Sequence, residues 1–173
     1  LSTTGAASFM FYAKFSQLNS GMDAIITDWP PSGATININY EVFGGTAHRM
    51  RINLNTSRAS YELAHDLITA DFNSWNNWAF VFSGTDLKIY QNGIEVESMA
   101  VALSTISPSG SVIRFGEEEN NSAFFTGFLD DIHIWNIELT AQSVLDYIDC
   151  PTTGNESGLI GYWNFEEGTG TTT

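Results

Sequence analysis

Residues 76–103, NNWAFVFSGTDLKIYQNGIEVESMAVAL, decide the fold class. Trp78 to Ser83 is apolar at successive positions, so a strand there is buried on both faces, as in the middle of a sandwich. Asp86–Gln91 and Ile94–Leu103 flank Asn92-Gly93. Those two residues tolerate positive φ, which a two-residue type I′ hairpin turn demands. The central strand and the hairpin beside it set an antiparallel pattern for the whole chain.

Upstream the pattern repeats. In Ala7–Phe15 the residues Ala7, Phe9, Phe11, Ala13 and Phe15 share one face, with Ser8, Met10, Tyr12 and Lys14 on the other. Ala24–Trp29 reads as a strand that Pro30, Pro31, Ser32 and Gly33 break. Ala34–Phe43 sets Ile36, Ile38, Tyr40 and Val42 against Asn37, Asn39 and Glu41, and His48–Asn55 and Ser60–His65 follow. Downstream come Ser111–Phe115, a strand in which Ile132 and Ile134 alternate with Asp131, His133 and Trp135, and a last strand at Leu159–Phe165. One helix stands out, Ala141–Ile148, with Thr140 placed to cap it and Leu139 to staple onto Val144. Short strands punctuated by turns, with one short helix near 141–148, predict an all-β, two-sheet antiparallel jelly-roll sandwich.

At 173 residues the chain suits one domain with a full two-layer core. Its formal net charge of −14 disfavours nucleic acid and anionic membranes, both of which require clustered Lys and Arg. Cations are the more natural partners. Cys150 is the single cysteine, so an internal disulfide is excluded, and no apolar run is long enough to span a bilayer. An opening at Leu1 without an initiator Met suggests a piece of a longer protein.

The densest carboxylate run is Glu117–Glu119, followed by Asn120 and Asn121. Calcium takes six to eight hard oxygens, so Glu118, Glu119 and Asn120 need help from loop carbonyls and a further carboxylate such as Asp28 or Asp131. A solvated acidic loop is the competing reading, and Asp130-Asp131 equally suits a structural role in accepting backbone N–H groups. Trp29 and Trp75 adjoin loops, where they either stack on a sugar with Asn121 or pack the rim. Trp78, Trp135 and Trp163 fit strand packing. His48, His65 and His133 lack metal-ligand spacing. No Glu-x-Asp-x-x-Glu strand or Gly-x-Ser-x-Gly elbow occurs, which speaks against catalysis.

Several of these blocks resemble laminin-G-like and pentraxin-like members of the concanavalin A-like lectin/glucanase superfamily. NNWAFVFSGTDLKIYQNGIEVES is similar to that family's Trp, apolar strand, turn and aromatic strand ending in Asn-Gly. GFLDDIHIWNIELTAQSVLDYI resembles its Asp-Asp strand followed by Leu-Thr and a short helix. ASFMFYAKF resembles an opening strand that usually carries Trp where Tyr12 stands. The resemblance implies stacked antiparallel sheets with calcium at one edge of the concave sheet. Phe115-Gly116 matches the end of the pentraxin strand, which puts Glu118, Glu119 and Asn120 where that family's Glu-Gln-Asp ligands lie. Asn120 in place of Asp weakens such a site, and the family's second ligand pair finds no clean match near Ser32-Gly33 and Asp28. SGLIGYWNFEEGTGTT resembles a motif that opens repeats in bacterial surface proteins.

These readings lead to four expectations. Residues 1–173 form one laminin-G-like domain, with 157–173 either closing it or starting a following module. It is a non-catalytic binding module of a secreted or surface protein. Calcium supports glycan recognition at a rim made by the 28–33, 72–77 and 117–125 loops. The alternative is an adhesion or spacer module that contacts protein partners or neighbouring domains of the same polypeptide without binding sugar.

Overall fold

The computed structural model describes residues 5–16, 21–28, 36–55, 59–102, 112–118, 123–150, 152–166 and 168. In chain order the strands are β1 (Ala7–Phe15), β2 (Gly21–Asp28), β3 (Ile36–Phe43), β4 (Ala47–Asn55), β5 (Ser60–Asp66), β6 (Asn76–Phe82), β7 (Asp86–Gln91), β8 (Ile94–Ala100), β9 (Ile113–Phe115), β10 (Gly127–Trp135) and β11 (Leu159–Trp163). Among the described residues there is one α-helix, α1, at Ala141–Asp149. A 3-10 turn at Thr69–Asp71 was not legible in the sequence pattern.

The strands pair antiparallel into two sheets, one six-stranded in the order β11-β10-β1-β6-β7-β8 and one five-stranded in the order β5-β4-β3-β2-β9. Alternation fills the space between them. Phe9, Phe11, Phe15, Trp78, Phe80 and Ile134 from one sheet meet Ile26, Ile38, Tyr40, Met50 and Ile52 from the other in one buried core. Phe15 and Tyr40 stack across it at 4.7 Å. Asn92 and Gly93 adopt φ of 50° and 80°, the positive pair that the type I′ turn requires, and the Asn92 side chain accepts the Asn77 N–H at 2.9 Å.

The other face of the six-stranded sheet carries α1. Thr140 caps it by accepting the Ser143 N–H at 3.0 Å, and Val144 and Leu139 pack on Met10, Ala79, Val81, Tyr90 and Trp135 in a second buried cluster. Tyr147 packs on Trp135 with ring centroids 4.9 Å apart, whereas Leu145 is 44% exposed. Ser8 ties β1 to the segment before the helix, donating to the Ile137 carbonyl at 2.8 Å and accepting the Leu139 N–H at 2.9 Å. β11 pairs with β10 and forms one edge of this sheet.

Candidate functional site

The outward face of the five-stranded sheet is built from the residues that alternate with the core. Register aligns Thr27, Asn37, Asn53 and Glu62 in one row, and Ala24, Asn39, Arg51 and Ala64 in the next. Arg51 is the hub. Its guanidinium meets Glu41 at 3.0 Å, Glu62 at 3.3 Å and the Asn39 side-chain oxygen at 3.1 Å. Arg49 pairs with Asp66 at 2.8 Å and lies 4.0 Å from the Phe43 ring centroid.

Polar residues on an outward face are ordinarily solvated, yet here Asn37, Asn39 and Glu41 are only 5%, 0% and 8% exposed. Asn37 Oδ1, Asn39 Nδ2 and Glu41 Oε1 have no hydrogen-bond partner among the described residues. Each orphaned buried group costs about 1–3 kcal/mol, so three together form a floor poised to accept polar atoms. Burial pushes the Glu41 carboxyl up, and Arg51 opposes that push.

Part of the cover is the acidic segment after β9. Gly116, at φ 76°, donates to the Ile25 carbonyl at 2.9 Å and turns the chain across β2. Thr27 then donates to the Glu117 carbonyl at 2.8 Å, and Asn37 Nδ2 donates to Glu118 Oε1 at 3.3 Å. The chain returns to β2 through the Ala24 N–H on the Ala123 carbonyl at 2.7 Å and the Thr126 N–H on Asp23 at 2.8 Å. Burial pushes the Asp23 carboxyl up, against the pull of that Thr126 hydrogen bond. Glu117 is held loosely by Arg114 at 3.7 Å.

The structure brings some of the expected site residues together and separates others. Glu118 reaches the polar floor. Glu119, Asn120, Asn121 and Trp29 lie outside the described residues. Asp28 ends β2 at 4% exposure, and alternation after Ile26 turns it to the inner side of the sheet, away from Thr27 and Glu118. Asp131 is in the other sheet, where it accepts the Tyr162 hydroxyl at 2.8 Å and its own N–H donates to Asp130 at 3.0 Å. That geometry favours its structural reading. Trp75 is 47% exposed beside the end of β1, whereas Glu118 sits by Thr27 at the far end of β2. Of the rim expected from the 28–33, 72–77 and 117–125 loops, residues 29–33 and 119–122 lie outside the described residues; Asp28 and 72–77 are at opposite ends of the sandwich, while Phe125 packs on Phe15 at the 72–77 end. Among the described residues no group of three or more His, Cys, Asp or Glu side chains is placed to hold a metal.

Asn37, Asn39, Thr27 and Arg51 were missed as site residues. The alternation in ININYEVF showed which face Asn37 and Asn39 occupy, but it carried no sign that the acidic segment would fold back onto Thr27 and Asn37.

Residues 1–145 match the family model for laminin-G-like (Laminin_G_3) domains of the concanavalin A-like lectin/glucanases superfamily. The chain belongs to this family. No curated protein matches the sequence. Among solved structures, this laminin-G-like domain is similar to a candidate carbohydrate-binding protein from Bacteroides ovatus, with TM-score 0.75 and 12% identity over 98% of the domain and 48% of that chain. It also resembles a heptameric SAP-like pentraxin from Limulus polyphemus, with TM-score 0.66 and 17% identity over 87% of the domain and 72% of that chain. A tailspike enzymatically active domain from bacteriophage CBA120 shares the fold at TM-score 0.71 and 9% identity, over 94% of the domain and 27% of that chain. The domain thus spans about half of the first structure and about a quarter of the third. At these identities the likeness establishes the sandwich and nothing finer.

Proposed function

We propose that this laminin-G-like domain is a non-catalytic binding module of a larger extracellular protein, and that it recognises carbohydrate with the support of calcium at the outward face of the five-stranded sheet. The observation that carries this reading is the orphaned floor of Asn37, Asn39 and Glu41 beneath the Glu117–Glu118 segment. Ligand hydroxyls both donate and accept, so they satisfy the Asn39 amide and the free Asn37 and Glu41 oxygens alike. The donor types suit calcium, although the described residues alone do not complete a site: Glu118 supplies a carboxylate, Asn37 Oδ1 a neutral oxygen, and Glu119 and Asn120 follow in sequence. When bound, the ion would supply a fixed positive charge for sugar hydroxyls; Asn37, Asn39 and Arg51 would orient them. Similarity to a candidate carbohydrate-binding protein and to a pentraxin supports the reading.

The carboxylates also argue against turnover. Glu41 and Glu62 are both bound by Arg51, so neither stands as a free acid and base pair across a sugar. A glycan array probed with calcium and then with EDTA tests the proposal. Binding is expected in calcium, with loss in EDTA and in both Glu118→Ala and Asn37→Ala. Calcium-dependent binding that survives both substitutions contradicts the site, and silence on the array favours the adhesion or spacer alternative.

A further inference from the structure

The outward face of the six-stranded sheet, beyond the end of α1, holds exposed aromatic rings beside buried polar side chains that have no hydrogen-bond partner among the described residues. Register places Asp130, Tyr12 and Asn77 in one row and Phe128 beside Lys14 in the next, with Trp75 immediately before β6. Trp75 and Phe128 are 47% and 64% exposed, and their rings face one another at 6.3 Å and a 54° tilt. Asp131 is an extra residue opposite Phe11, a β-bulge at φ 46° that presents its carboxylate to Tyr162. At the margins of this group lie Asn77 and His133, 1% and 2% exposed. Neither side-chain atom of Asn77 and neither ring nitrogen of His133 has a hydrogen-bond partner among the described residues.

We propose that this face is a second saccharide-binding platform, one that works without calcium: Trp75 and Phe128 stack on the apolar face of one unit of a neutral oligosaccharide, whose other hydroxyls reach Asp130 and, directly or through water, Asn77 and His133. The chemistry of the unpaired groups selects the ligand class. An organic cation offers donors alone and leaves the Asn77 N–H groups without an acceptor. A divalent metal lacks three suitably placed ligands among the described residues. An anionic sugar meets Asp130 and Asp131, against Lys14 beside Phe128, on a chain of net charge −14. A neutral sugar offers donors, acceptors and a C–H face together, and water relays its hydroxyls to groups below the surface. The platform rests on the carbohydrate half of the proposed function and not on its calcium site.

Calorimetric titration with cellohexaose, xylohexaose, laminarihexaose, mannohexaose and maltohexaose, in EDTA and in calcium, separates the two. The platform predicts that at least one hexasaccharide binds in EDTA. Trp75→Ala and Phe128→Ala each weaken that binding about tenfold, the scale of one aromatic contact. Phe128→Tyr, which keeps the ring, restores most of the affinity that Phe128→Ala loses. Both rings are exposed, so unchanged melting of the variants checks that the fold persists, and the Phe128 pair carries the test if Trp75→Ala does not fold. No binding in EDTA, or binding indifferent to both ring truncations, overturns the platform. Binding confined to calcium and lost in Glu118→Ala overturns it too, while supporting the site on the five-stranded sheet.

Discussion

The two outward faces of the sandwich are made by the same alternation and end in opposite states. On the six-stranded sheet, Met10, Ala79, Val81 and Trp135 meet an amphipathic helix, and apolar surface is removed from water. On the five-stranded sheet, Thr27 and Asn37 meet an acidic segment, and polar atoms of Asn37, Asn39 and Glu41 are buried with incomplete partners. The first face is stabilised by what covers it. The second bears a standing cost that a ligand can relieve. Burial alone therefore does not tell a structural area from a binding area; on both faces the orphaned polar atoms, Asn77 and His133 as much as Asn37 and Asn39, mark where a ligand can relieve a cost.

The largest test of this contrast is Trp135→Ala, which removes the ring under α1. Loss of a fully buried Trp is expected to lower unfolding free energy by about 4 kcal/mol in denaturant titration. Next comes Arg51→Met, which strands Glu41 and Glu62 without their shared cation and is expected to cost about 3 kcal/mol. Adding Glu41→Gln should recover part of that loss, whereas strictly additive costs would show that the pair is uncoupled.

The third test concerns His133, whose imidazole is lowered from 6.5 to about 4 by burial, against the pull of Asp131 and Glu156. Between those values the unfolded chain binds a proton that the folded chain refuses. The stabilisation is thus complete above the ordinary value and is lost as pH falls toward 4. From pH 7 to pH 5 the wild type should lose about 2 kcal/mol more than His133→Gln. Glu41 and Asp23, raised by burial, act in the opposite direction but equally in both proteins, so they cancel in the difference.

Nearly every strand was legible in the sequence, because the period-two alternation of segments such as ASFMFYAKF and ININYEVF is a local signal that the register then confirms. The Asn92-Gly93 turn and the Thr140 cap were legible for the same reason. The site was not. Whether Asp28 and Glu118 share a side of β2 depends on a register shift between Ala24 and Ile26, which sets the parity of the strand's end. Whether Asn37 is solvated depends on Glu118, which reaches it from far downstream. Asp131 looked like a ligand beside an acidic loop, but its bulge commits it to Tyr162 in the other sheet.

The melting temperature with and without calcium bears most directly on the claim that the five-stranded sheet's polar floor and its acidic cover form a calcium-supported site. Calcium at 100 times its dissociation constant should stabilise the wild type by about 2.7 kcal/mol, reversed by chelator and strongly reduced in Glu118→Ala. An unchanged melting temperature in excess calcium, or an equal shift in the wild type and Glu118→Ala, would contradict it.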